Sequence, residues 1–228
     1  LYNFFPILLR TLVILLLIVA LARPRLAHKR QQITGKGVDI ILAIDVSGSM
    51  QAVDFQPTNR LEAAKEVAID FIKRRRNDRI GLIVFAENAY TQCPLTLDYN
   101  ILMTIMEKME INKDANGTAI GMGLATAVAR LRESQVKSKV IILITDGRNN
   151  AGEIDPLFAA DLAATYGIKV YPIGVGSKGL VDFPFQTPFG IQYRKVNIEI
   201  DMEALNQICL LYTSPSPRDR TRSRMPSS

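Results

Sequence analysis

The chain has 228 residues, 48% of them hydrophobic, enough for one sizeable core with small appendages. Its net charge of +6 sits at the ends: the flanks hold 10 of the 28 basic residues and 1 of the 22 acidic ones, leaving residues 37–208 with 18 against 21. That balance of −3 excludes a basic nucleic-acid-binding face on the central region.

The first element is "FFPILLRTLVILLLIVALARPR". Phe4–Ala22 carries a single charge, Arg10, over a length close to the roughly 20 residues that cross a bilayer, and Arg10 can snorkel to the nearer interface. A signal peptide is the alternative, with Arg10 as n-region, Thr11–Ile18 as apolar core and Ala20-Leu21-Ala22 as cleavage site. The chain opens on Leu1, so we expect a transmembrane helix within residues 1–22 of a protein that begins further upstream. Residues 23–36 then form a basic juxtamembrane linker at a headgroup surface.

From residue 37 onward, apolar runs alternate with amphipathic stretches. The runs 38–46, 79–87, 139–147 and 168–176 are nearly continuous aliphatic, as in strands of a parallel sheet buried on both faces. Arg60–Arg75, Leu97–Met109, Thr118–Glu133 and Pro156–Tyr166 carry helical periodicity. The alternation predicts an α/β domain over 37–208, a doubly wound, mostly parallel sheet with helices on both faces. Residues 183–200 alternate around a Pro-Phe-Gly turn and predict a short hairpin before a last helix.

After "IDMEALNQI" the composition changes abruptly to "CLLYTSPSPRDRTRSRMPSS". The plainer reading is a disordered Ser/Pro/Arg tail. The string also resembles a tagmentation-type sequencing adapter translated in frame, so residues 209–228 are expected to be non-native and the domain truncated at Ile208. Without Cys209, Cys93 stands alone and is expected to be a small packed residue.

The chemistry lies at the strand ends. In "AIDVSGSM" an aliphatic strand gives way to Asp45, Ser47 and Ser49 at alternate positions. Asp146 ends a later strand in "ITDG", and Thr118 stands at a helix start in "NGTAIGMG". In open α/β sheets functional groups gather beyond the carboxyl ends of strands, so both carboxylates should project at one sheet edge. Two carboxylates and three hydroxyls, without His or Cys, suit a hard cation: Mg²⁺ first, with Mn²⁺ or Ca²⁺ as alternatives. Each residue also has a simpler role: Ser47, Ser49 and Thr118 as helix caps, Asp146 as a turn residue. Ser134 lies outside the constellation, and changing it is expected to do little to metal-dependent partner binding.

Together "DVSGSM", the Gly-Thr of "NGTAIGMG" and "ITDG" resemble the metal-ion-dependent adhesion site of von Willebrand factor A (vWA) domains, with all five positions filled. The resemblance implies that Ser47, Ser49 and Thr118 supply hydroxyls to a metal while Asp45 and Asp146 act directly or through water. The "ALARPR" helix exit, "GVDIILAIDVSGSM" and "AYTQCPLTLDY" are similar to bacterial aerotolerance-operon (Bat-type) membrane proteins. That likeness implies an inner-membrane protein with Bat-type and MoxR-type AAA+ ATPase partners. The flank Arg23–Arg30 argues for a cytoplasmic domain; the resemblance implies a periplasmic one, which is the expectation taken.

The leading expectation is a non-enzymatic, membrane-anchored interaction module that binds no nucleic acid and captures a partner's Glu or Asp at its metal. The alternative is a Mg²⁺-dependent hydrolase or phosphotransferase, which would want more bridging carboxylates; Ser47 stands where a second acid would be expected. The one His, His28, lies in the basic linker, which leaves no Ser-His-Asp triad. A third option is a structural α/β module without metal.

Overall fold

The computed structural model describes residues 4–22, 37–55, 58–115, 117–177, 179–188, 190–197 and 200–213. The chain divides into two compact units, Leu1–Gly35 and Lys36–Ser228. The expected basic linker, 23–36, and residues 214–228 of the expected adapter-derived tail lie outside the described residues.

In the first unit, helix α1 spans Phe4–Ala22, and its described side chains, residues 4–18, are all exposed. Among the described residues no helix is long and apolar enough to cross a membrane. The expected transmembrane helix is therefore not met by the described residues.

The second unit is built on β1 (Asp39–Asp45), which lies at the centre of a five-stranded sheet. β2 (Arg79–Phe85) and β4 (Lys139–Thr145) flank it in parallel, and β5 (Ile168–Gly174) extends the sheet in parallel beyond β4. β3 (Ala89–Thr96) pairs antiparallel with β2, which gives the order β3-β2-β1-β4-β5.

Successive side chains of a strand point to opposite faces, so an all-aliphatic strand needs a cover on each. Ile40, Leu42 and Ile44 of β1 join a core with Leu61, Ala64, Ala68 and Ile72 of α2 (Arg60–Lys73) and Leu102 and Met106 of α3 (Tyr99–Glu107). Ile41 and Ala43 face the other way, into Leu124 and Val128 of α4 (Ile120–Arg132) and Ala159 and Ala163 of α5 (Pro156–Thr165). The α/β fold with helices on both faces of a mostly parallel sheet is the one the sequence predicts. Side-chain caps fix three helix starts: Asn59, Asp98 and Asp155 accept from backbone N–H groups of α2, α3 and α5.

Two strands differ from expectation. β3 falls in a stretch with no aliphatic run, because only one of its faces is covered; Cys93 is buried while Tyr90, Gln92 and Pro94 are exposed. β5, read as buried on both faces, is an edge strand: Ile168 and Val170 are buried, and Lys169 and Tyr171 are exposed. The predicted hairpin is present as β6 (Leu180–Thr187) and β7 (Gly190–Asn197), a separate two-stranded sheet starting slightly earlier than expected. Its root meets the loop after β1 through a Val53–Asp182 bridge and the packing of Val181 on Ala52. The last helix, α6 (Met202–Thr213), buries Leu205 and Ile208, and its backbone runs past the expected truncation point at Ile208.

At the amino end of the sheet, Arg79 grips the buried carboxylate of Asp39, with Nε 2.8 Å from Oδ1. The Ser134 hydroxyl donates to the same carboxylate. Ser134 thus helps satisfy a buried charge 95 residues away in sequence, at the sheet edge opposite the predicted constellation.

Candidate metal centre

At the carboxyl end of the sheet, β1 and β4 finish side by side and release Asp45 and Asp146, both fully buried. The Asp45 carboxylate accepts from the Ser47 backbone N–H at 2.8 Å and from the Thr145 hydroxyl at 2.6 Å. Burial first, and then the neighbouring charge of Asp146, pushes the Asp45 carboxyl up to about 7, against the smaller lowering effect of those hydrogen bonds. Among the described residues no Lys or Arg forms an ion pair with Asp45.

The serines do not act as caps. Ser47 precedes the short 3₁₀ turn Gly48–Gln51 but makes no side-chain capping bond to it. Its hydroxyl lies 3.0 Å from that of Ser49, so the two oxygens alternate with the backbone to present one polar cluster. Ser47 is buried and Ser49 half-buried.

Thr118 is buried on the loop before α4, and it is not the helix cap either, since that position is Ala119. Backbone bonds tie the loop to the sheet edge. Ala119 N–H donates to the Ala86 carbonyl after β2, at 2.6 Å. Thr118 N–H donates to Asn150 Oδ1 at 2.7 Å, and Asn150 N–H returns a bond to the Thr118 carbonyl at 3.1 Å. Asn149 Oδ1 accepts from Ile120 N–H at 2.9 Å. The segment after Asp146 therefore holds the segment that carries Thr118.

Asp146 sits before a turn that only glycine makes easily. Gly147 has φ +83°, and a Cβ there would lie 2.6 Å from the Asp201 carbonyl oxygen. This close approach lets Asp201 N–H bond the Asp146 carbonyl at 3.0 Å and anchors the start of α6 against the site.

All five predicted site residues thus lie on three loops at one sheet edge: 45–49, 118 and 146. The sequence reading missed the residues that hold them. Thr145, Asn149 and Asn150 flank Asp146 in "TDGRNN", and a polar cluster after an aliphatic strand is the signal they left. Arg60 and Asp54 left none. Arg60 is fully buried, its Nε and Nη2 forming a two-pronged pair with Asp54 at 3.0 and 2.9 Å, while Nη1 reaches Asp146 Oδ2 at 3.4 Å.

The donor set fits a hard divalent cation: every group is oxygen, two are carboxylates, and the buried Asp45 carboxylate faces a second carboxylate. Among the described residues no three or more His, Cys, Asp and Glu side chains gather as a metal-holding group, so any cation held here would need the hydroxyls as well.

Residues 40–149 match the family model of the von Willebrand factor type A domain. This is a vWA domain. An uncharacterized protein of Borreliella burgdorferi is 34% identical over 180 residues, 79% of this chain and 53% of its own length. The chain spans about half the length of the curated relatives it matches. The crystal structure of an aerotolerance-related membrane protein from Bacteroides fragilis superposes with a TM-score of 0.68 at 28% identity, covering 82% of this chain and 96% of that one. A second neighbour is proximal thread matrix protein 1 from the mussel byssus, with a zinc-occupied MIDAS motif. It is 25% identical with a TM-score of 0.52, covering 60% of this chain and 38% of that one. The vWA fold and the Bat-type likeness expected from the motifs are both present.

Proposed function

We propose that this vWA domain is a membrane-anchored, divalent-cation-dependent interaction module that captures an acidic side chain of a protein partner. Asp45, Ser47, Ser49, Thr118 and Asp146 would hold the cation. The observation that carries the reading is the convergence of two fully buried carboxylates with the Ser47–Ser49 hydroxyl pair at one sheet edge, beside the Thr118 loop. A divalent cation with few direct carboxylates keeps an electrophilic face, and that is the chemistry it would supply to a partner's Glu or Asp.

The chain's own residues prepare the site. Thr145 and the Ser47 N–H fix the Asp45 carboxylate, Asn149 and Asn150 fix the Thr118 loop, and Gly147 sets the backbone turn at Asp146. Mg²⁺ is the cation proposed, with Mn²⁺ or Ca²⁺ as substitutes; the zinc-occupied motif of the mussel protein supports a divalent ion at such a site. A set with two carboxylates favours binding over two-metal hydrolysis, which relies on bridging acids.

The membrane anchor is proposed from α1, whose fifteen described side chains are apolar but for Arg10 and Thr11, and all exposed. The aerotolerance-related membrane protein of B. fragilis supports a membrane setting; the bacterial inner membrane and the periplasmic side are proposed from the Bat-type resemblance of the sequence motifs. Partners of the Bat type and a MoxR-type AAA+ ATPase are proposed on the motif resemblance alone.

The test is a pull-down from membranes with the full chain, with Mg²⁺ and with EDTA, followed by mass spectrometry. Thr118→Ala should stay folded by circular dichroism, because it removes no cap, yet lose every partner that EDTA also releases. Asp146→Ala should behave alike. Undiminished capture by folded Thr118→Ala in EDTA would end the metal-bridged reading.

A further inference from the structure

Arg60 opens α2, where an arginine would ordinarily reach solvent, yet it is fully buried. Its guanidinium lies against Gly176, whose backbone has φ +144° and where a Cβ would stand 2.8 Å from Arg60 Cζ. Only a residue without a side chain leaves that space. Asp54 engages two of the guanidinium nitrogens, and Ser177 N–H donates to the Asp54 carboxylate from the other side. Nothing in this arrangement is loose: the loop after β1, the start of α2 and the loop after β5 all close on one buried ion pair. The third nitrogen then reaches Asp146 Oδ2 at 3.4 Å, while Asp146 Oδ1 accepts from Arg148 N–H at 3.3 Å.

We infer that Arg60, locked by Asp54, is a positioning residue that holds one oxygen of Asp146 and thereby selects a small, geometrically demanding cation over a larger one. The inference rests on the metal-site reading above. A buried carboxylate with a donor at each oxygen is restrained from swinging to chelate, so it would serve the cation in a more limited way. Mg²⁺ demands near-octahedral order and tolerates few carboxylate oxygens, whereas Ca²⁺ accepts flexible and bidentate carboxylates. Partners that orient a metal-ligating carboxylate commonly control affinity although they never touch the metal.

Removing Arg60 alone would strand the buried Asp54 charge, so the informative variant is the paired neutral change Asp54→Asn with Arg60→Met. Calorimetric titration of the full chain with Mg²⁺ and, separately, Ca²⁺ gives the readout, with circular dichroism to verify the fold. Mg²⁺ affinity should fall by about 10–100-fold in the double variant, with Ca²⁺ affinity falling far less, so that preference moves toward Ca²⁺. Arg60→Lys keeps the charge but loses the planar fork, and should shift preference in the same direction. A merely structural role would lower stability and leave the ratio of the two affinities alone. An unshifted ratio in a folded double variant overturns this inference while leaving the metal site standing. Failure of the wild-type chain to bind either cation overturns both.

Discussion

β1 carries an aspartate at each end, and the two meet opposite fates. Asp39, at the amino end, is 1% exposed and gripped by the Arg79 guanidinium and the Ser134 hydroxyl. Asp45, at the carboxyl end, is fully buried, takes only neutral donors among the described residues and faces a second carboxylate. A buried charge with its own cation is architecture. A buried carboxylate with no ion-pair partner among the described residues is where the proposed cation would bind, and that difference separates the supporting edge of this sheet from its candidate working edge.

Between these cases lies the Arg60–Asp54 pair, which supplies a cation at the working edge but commits it elsewhere. Breaking it should have the largest effect. Arg60→Met leaves Asp54 buried and uncompensated, a change that costs about 3–5 kcal/mol in comparable sites. Urea denaturation in EDTA should show that loss, and a loss under about 1 kcal/mol would mean that water reaches Asp54.

Asp45→Asn sharpens the comparison by separating stability from binding. With Mg²⁺ at about 100 times its dissociation constant, the wild type should gain about 2.7 kcal/mol over EDTA. Asp45→Asn should lose that gain while melting in EDTA at or above the wild-type temperature, because relief of the facing charges works in its favour. Differential scanning calorimetry with and without Mg²⁺ reads both; an undiminished Mg²⁺ response in the variant would remove Asp45 from the ligand set.

At the other end, Ser134→Ala should cost about 1.5–3 kcal/mol, as for a hydrogen bond to a charged group. The loss should be the same with Mg²⁺ and with EDTA. Any metal dependence there would blur the division between the two edges.

The smallest expected effect concerns Cys93. Burial, and then the charge of Asp98, raises its thiol pKa, so the reactive thiolate is scarcer than on a free cysteine at any pH below that value. Alkylation at pH 8 followed by peptide mass spectrometry should label exposed Cys209 first and Cys93 slowly, with no change in fold. Equal labelling rates would show that the β2–β3 edge opens readily.

Much of this was legible locally. An unbroken aliphatic run can satisfy burial on both faces only inside a covered sheet, so β1, β2 and β4 follow from their own residues. Asp45, Ser47, Ser49 and Asp146 stand out as oxygen directly after such runs and Thr118 as a hydroxyl at a helix start; each alone could be a cap or a turn residue, and their joint occurrence is what marks them. Edge position was not legible: the apolar run of β5 reads like that of β1, and only the finished strand order shows that one side of β5 is open. Nor could the sequence assign Ser134 or Arg60. Ser134 finds Asp39, and Arg60 finds Asp146, across 95 and 86 residues of chain. Periodicity reports only what neighbours in sequence share. The crossovers that bring distant strand ends together decide which buried charge receives a charged partner from the chain and which meets only neutral donors among the described residues.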